Sequence, residues 1–174
     1  MLAVTGGLSA KEETQLLNLL SKVCQPFSAS FFEALTDLLP VIPFEAVILR
    51  EHMGRRQICL VWRGHEDGNA EKWPDCWTIP GTVLRVTDES LNAAMVRLAN
   101  KELGVQAFAS WRTVGMRLLH GKHEHGRAQT LQMVNLATLS DGQSTKGEWF
   151  YLDELPPEFL VAQQSLIDFA LANE

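Results

Sequence analysis

The stretch from Trp77 to Val105 constrains this chain more than any other. Trp77-Thr-Ile-Pro80-Gly81-Thr82 reads as a short strand running into a tight Pro-Gly turn. After a connecting loop, Leu91, Ala94, Met95, Leu98 and Leu103 recur at helical spacing as far as Gly104. Thr87 and Asp88 are the N-cap candidates, and the carboxylates of Asp88 and Glu89 suit the positive end of a helix dipole. Gly104 is a suitable left-handed residue to close the helix. The spacing therefore predicts strand, turn, loop and glycine-capped helix in that order.

This stretch resembles the box of the Nudix family, whose pattern is Gly, five residues, Glu, seven residues, then Arg-Glu-apolar-any-Glu-Glu-any-Gly-apolar. Glu89, Arg97, Glu102, Gly104 and Val105 match from the first Glu onward, including the seven-residue gap between Glu89 and Arg97. Thr82 stands where a second glycine is usual, and the loop from there to Glu89 is one residue longer than the pattern. The Glu after the Arg is Leu98 here, and the first of the paired glutamates is Lys101. The Arg-Leu-x-x-x-Glu-Leu-Gly form is similar to that of GDP-mannose mannosyl hydrolases, a branch that lacks the same two glutamates and works with one magnesium ion.

Helical residues advance by about 100°, so positions 98, 101 and 102 of a regular helix share a face. In a full box that face carries carboxylates, oxygen ligands suited to Mg²⁺. Here it carries an apolar Leu98, a cationic Lys101 and Glu102 alone. Two unit charges about 4 Å apart interact by roughly 4 kcal/mol at an effective dielectric of 20. A Lys101 turned into the site would oppose a divalent ion, whereas one turned to solvent would not. The resemblance implies one Mg (or Mn) ion held by Glu102 and the Gly81 carbonyl. Read from the residues alone, Glu102 and Lys101 are equally a solvated helix face.

A chain of 174 residues with 46% hydrophobic content suits a single domain with a sizeable core. The formal charge of −6 argues against nucleic acid as the main partner. No signal peptide and no run long enough to span a bilayer is expected. Cys24, Cys59 and Cys76 are odd in number, widely spaced and without a metal or redox motif, which points to reduced thiols and a cytoplasmic chain.

Residues 1–40 read as an N-terminal helical extension packed on the core. Ser9 and Glu12 form a capping-box pattern before Leu16, Leu17, Leu19, Leu20 and Val23, and a second helix carries Phe31, Phe32, Leu35 and Leu38 up to Pro40. A packing extension, a dimer-forming arm and a substrate lid are the alternatives for it. Residues 41–174 form the Nudix-like domain. Phe44–Arg50 and Gln57–Arg63 are strands joined by a turn near Met53-Gly54, and residues 107–119 and 128–139 form a hairpin. Its connector holds His123 and His125, either a solvated tip or a source of a metal ligand or catalytic histidine. Gly147–Pro156 resembles the last strand and Leu-Asp-Glu-Leu-Pro passage common in Nudix chains. An amphipathic helix from Phe159 to Leu171 closes the chain. The fold class expected is α/β, a Nudix-like α/β/α sandwich with a mixed sheet.

The resemblance implies a hydrolase acting on a nucleoside diphosphate linked to another moiety, such as a nucleotide sugar. Glu102, Arg97, Glu148 and His123 are the catalytic candidates, with Glu89 and Arg97 bracing loop against helix and Gly104 ending it. Arg63 is the phosphate candidate and Trp77 the stacking candidate. Glu148 stands in for the base, because Ser144-Thr145-Lys146 occupies the place where the GDP-mannose branch has a histidine. The alternative is a catalytically silent Nudix-fold domain that binds a nucleotide-like ligand or a protein partner. A homodimer is compatible with either.

Overall fold

The computed structural model describes residues 7–23, 27–64, 75–120, 129–140 and 144–174. Two N-terminal helices, α1 (Ala10–Leu20) and α2 (Ala29–Leu38), precede β1 (Pro43–His52) and β2 (Arg55–Arg63). Then come β3 (Cys76–Thr78), β4 (Gly81–Val83), and α3 (Leu91–Leu98), which continues as a π-helical turn over Ala99–Leu103. The hairpin β5 (Ser110–His120) and β6 (Gln129–Thr138), β7 (Gly147–Tyr151), a 3-10 turn (Val161–Gln163) and α4 (Gln164–Ala172) complete the chain.

Among the described residues, seven strands form one mixed sheet in the order β3-β2-β1-β6-β5, with β4 added to β1 and β7 to β2. The β1–β2 hairpin turns at Met53 and Gly54, both at positive φ, as the right-handed twist of a tight hairpin requires. The parallel pairing is β1 with β6, register Phe44 to Met133.

Side chains alternate between two faces of this sheet. Phe44, Ala46 and Ile48 of β1 pack with Met95, Leu98 and Leu103 of the α3 segment and with Cys59. Val47, Ile58, Leu60 and Val134 pack on the other face with Leu166, Ile167 and Ala170 of α4. The result is the α/β/α sandwich expected from the sequence. Asn135, fully buried in β6, accepts from Thr113 Oγ1 at 2.8 Å and donates to the Glu45 carbonyl at 3.2 Å, tying three strands together.

The extension departs from expectation. Its capping box is present, but every residue of α1 is exposed, so α1 is not packed on the core. Only α2 makes buried contact, through half-buried Phe31, Phe32 and Leu35 and fully buried Thr36. The physical reason is that α3 and α4 already cover the two sheet faces. The closing helix is also shorter than its periodicity suggests. Phe159 is drawn instead into a bridge with Trp77, and Leu160 N–H donates to the Trp77 carbonyl at 2.9 Å.

Candidate functional site

The loop between β4 and α3 is organised by Arg97. Its guanidinium donates to both Asp88 carboxylate oxygens, at 2.9 and 2.6 Å, to Thr82 Oγ1 at 2.5 Å and to the Val83 carbonyl at 3.0 Å. Asp88 also accepts the Arg85 backbone N–H at 2.8 Å. The hydrogen bond from Arg97 holds the Asp88 carboxyl below its usual range, against an opposing effect of burial. The expected brace between Glu89 and Arg97 is therefore made by Asp88 instead, and Glu89 is exposed. The extra loop residue moves the acid one position, and the shorter Asp reaches from there. With Asp88 committed, the N-cap passes to Ser90, whose Oγ accepts from Ala93 N–H at 3.1 Å.

The helix face expected to gather ligands does not run as a regular helix. Leu98 is fully buried in the core, and the next turn widens to π geometry before Gly104 at φ 70°. That widening shifts the phase of Lys101 and Glu102 relative to Leu98. Lys101 is exposed, while Glu102 is half-buried and engaged by a neighbour.

Ser144-Thr145-Lys146 closes onto the end of this helix. Ser144 Oγ, Thr145 N and Thr145 Oγ1 all reach the Leu103 carbonyl, at 2.8, 3.1 and 3.1 Å, and the Lys146 ammonium donates to the Lys101 carbonyl at 2.7 Å. Helix carbonyls left open at a C-terminus are thus satisfied by a loop carrying the charge sign the dipole favours. Gly104 is required both by its left-handed backbone and because a Cβ there would meet Thr145 Oγ1.

Gly81 pairs with Glu45 across β4 and β1, and the Glu45 carboxylate occupies the space a Gly81 side chain would take, its Cδ 2.9 Å from that Cβ position. Glu45 was not legible as a site residue, because it lies in an apolar strand sequence. It faces the α4 side, as do its neighbours Val47 and Val134, whereas Thr82 faces Arg97 on the α3 side.

The remaining candidates are dispersed. Glu148 is exposed on β7 opposite Leu60, on the α4 face, whereas Glu102 belongs to the helix on the other face. The two carboxylates are separated by the sheet and do not form a pair. Trp77 is half-buried between Trp62 and Phe150, with ring centroids at 5.3 and 4.9 Å. The exposed indole is Trp62, at 42%. Arg63, next along β2, points to the opposite face and sits level with Cys76, whose thiol is pushed up by burial and pulled back by the Arg63 charge. His123 and His125 lie outside the described residues. Among the described residues no group of three or more His, Cys, Asp or Glu side chains could hold a metal ion. One half-buried carboxylate at a helix end that already carries two lysines, Lys101 and Lys146, is a poor donor set for Mg²⁺.

No family model matches the chain, and no curated protein does. Solved structures do. The NUDIX domain of Shewanella oneidensis NrtR, complexed with ADP ribose, is 16% identical at TM-score 0.56, over 90% of this chain and 96% of that one. Another structure of Shewanella oneidensis NrtR matches at 18% identity and TM-score 0.56, over 74% of this chain and 60% of that one, so this chain spans less than two thirds of its length. A NUDIX hydrolase from Nitrosomonas europaea is 16% identical at TM-score 0.53, over 78% of this chain and 92% of that one. At these identities the likeness is one of fold: this chain has the Nudix fold.

Proposed function

We propose that this Nudix-fold chain is a binding domain for a nucleotide-type ligand and does not run metal-dependent hydrolysis at the box. The observation that carries this reading is the closure of Ser144-Thr145-Lys146 onto the helix end. The stretch that stands where the GDP-mannose branch has a histidine caps the Leu103 carbonyl and places an ammonium on the Lys101 carbonyl. Leu98 in the core and Arg97 committed to Asp88 give the rest of the box a structural role.

The ligand lies at the end of β2, its base stacked on exposed Trp62, which Trp77 backs edge-on. Arg63, the expected phosphate contact, points to the opposite face of the sheet and is not part of that stack. Base–aromatic stacking contributes about 1–3 kcal/mol per base. The free thiols of Cys59 and Cys76 suit a reducing cytoplasm.

Tryptophan fluorescence during titration with ADP-ribose, the ligand in the NrtR complex, tests this. Saturable quenching without magnesium is expected, reduced at least tenfold in affinity by Trp62→Ala. Absence of quenching at millimolar ligand would remove the proposal. A second reading, a one-ion hydrolase of nucleotide sugars or dinucleotides, is kept by one observation: Glu102 remains half-buried on the last turn of the helix. Magnesium- or manganese-dependent turnover lost in Glu102→Gln would establish it instead.

A further inference from the structure

Gln132 is a buried side chain with an unmet hydrogen bond. It is 8% exposed on β6, and its Oε1 has no partner among the described residues. Val134, two residues on, packs with Leu166, Ile167 and Ala170, so Gln132 also faces α4. A buried oxygen without a donor forfeits the hydrogen bond it would make to water, and such a group calls for an explanation.

Two further features converge beside it. Arg117 stands directly opposite Gln132 in the β5–β6 pairing and shares its face. Its guanidinium reaches toward α4, donating to Ser165 Oγ at 3.2 Å and lying 5.6 Å from the centre of the Phe169 ring. Among the described residues no carboxylate pairs with it. Ser165 sits in the first turn of α4, and no side chain caps that helix. The amide oxygen of Gln163, at the cap position, is taken by the Ile79 N–H at 2.7 Å. Asp168, the carboxylate of α4, accepts from Gln164 Nε2 at 3.1 Å.

We infer that Gln132, Arg117 and Ser165 form a site for a phosphate group, free or as a monoester. The guanidinium fork and the positive end of α4 suit an oxyanion. Gln132 adds a demand that few oxyanions meet: its oxygen accepts, so the ligand must also donate. A phosphate that keeps one proton turns its charged oxygens to Arg117 and the Ser165 hydroxyl and its P–OH to Gln132 Oε1. Sulfate and carboxylates carry no proton near neutral pH. Either would set a charged oxygen against a buried carbonyl. With a guanidinium on the opposite residue, the favoured orientation of the Gln132 amide is the one with its oxygen toward that charge. This site is on the sheet face away from α3, and β1 separates β6 from the β2 strand that carries Trp62.

Calorimetric titration of the full chain at pH 6, near the second pKa of a phosphate monoester, tests this with inorganic phosphate, ribose 5-phosphate and sulfate at fixed ionic strength. Saturable binding of phosphate in the millimolar range or tighter is expected, with sulfate at least tenfold weaker. A ribose 5-phosphate affinity well above that of inorganic phosphate identifies the monoester as the ligand, and equal affinities identify the free ion. Gln132→Leu replaces an unsatisfied acceptor by an apolar side chain of similar size, so it keeps the fold and loses the preference over sulfate. Arg117→Ala, at a half-buried position, loses binding of both anions. No saturable phosphate binding by the parent, equal affinity for sulfate, or parent-like phosphate affinity in Arg117→Ala would each overturn the inference. So would a Gln132→Leu protein that still prefers phosphate tenfold.

Discussion

Asp88 holds Arg97 through two guanidinium nitrogens, at 2.9 and 2.6 Å, with both side chains largely out of water. Removing one partner of such a pair leaves the other charge buried and uncompensated. Asp88→Asn is expected to lower stability by about 3 kcal/mol in urea unfolding, whereas exposed Glu89→Gln changes it by less than about 0.5 kcal/mol. The pH dependence follows from the lowered carboxyl. A folded pKa below the ordinary 3.8 adds stability that is present above that value and is lost as pH falls through the folded pKa. Unfolding curves from pH 6 downward therefore converge for parent and Asp88→Asn as the solution becomes more acid than about pH 4. Curves that stay parallel would show that Asp88 is not the titrating brace.

The Glu45 carboxylate occupies the side-chain space of Gly81. Gly81 is not at positive φ, so the cost of a methyl group there is purely steric. The obstructing carboxylate is the far end of a flexible, half-buried side chain that can turn aside, so Gly81→Ala is expected to destabilise by about 1 kcal/mol or less. Combining it with Glu45→Ala removes the obstruction, so the double variant should be more stable than the sum of the singles predicts. A double-mutant cycle by urea unfolding measures that coupling, and strict additivity would mean the two positions do not compete for space.

The parts of the fold legible in the sequence were those governed by local rules. The capping box at Ser9, the Met53-Gly54 turn, the long hairpin and Gly104 all follow from spacing and backbone preference within a few residues. What sequence reading missed depends on pairing across the chain. The β1–β6 register and the β4–β1 contact place Glu45 at Gly81, and nothing local to Glu45 announces either. The box spacing pointed to Glu89, but the loop geometry selected Asp88. Periodicity extended α3 as a regular helix to Leu103, whereas the loop from Ser144 to Lys146 meets a π-helical last turn there.

Cys59 should be inert in the folded protein. Burial beneath the α3 segment pushes its thiol up to about 12, against a small opposing pull from the Arg50 charge. The thiolate is the reactive species, so at pH 8 the Cys59 population available to an alkylating reagent is negligible. Peptide mapping after iodoacetamide treatment should find Cys59 unmodified in native protein and fully modified in urea. Native labelling of Cys59 within minutes would mean that the β2–β7 region opens far more readily than its packing suggests.

Gly104 combines two demands that a paired substitution can separate. Its φ of 70° costs an L-residue about 1–2 kcal/mol, and a Cβ would also meet Thr145 Oγ1. Gly104→Ala should therefore destabilise by more than about 2 kcal/mol, backbone and steric contributions adding. In Gly104→Ala/Thr145→Ala the collision is gone but the backbone cost stays. The second alanine also loses one of the hydroxyl bonds to the Leu103 carbonyl, at 3.1 Å, whose net worth is about 1 kcal/mol. Part of the loss should thus be recovered relative to Gly104→Ala, and less than the collision alone would suggest. A Gly104→Ala protein as stable as the parent would mean that the Ser144–Lys146 loop yields freely. A loop that loose could not hold Lys146 on the Lys101 carbonyl, and the place it closes would be open to a metal ion after all.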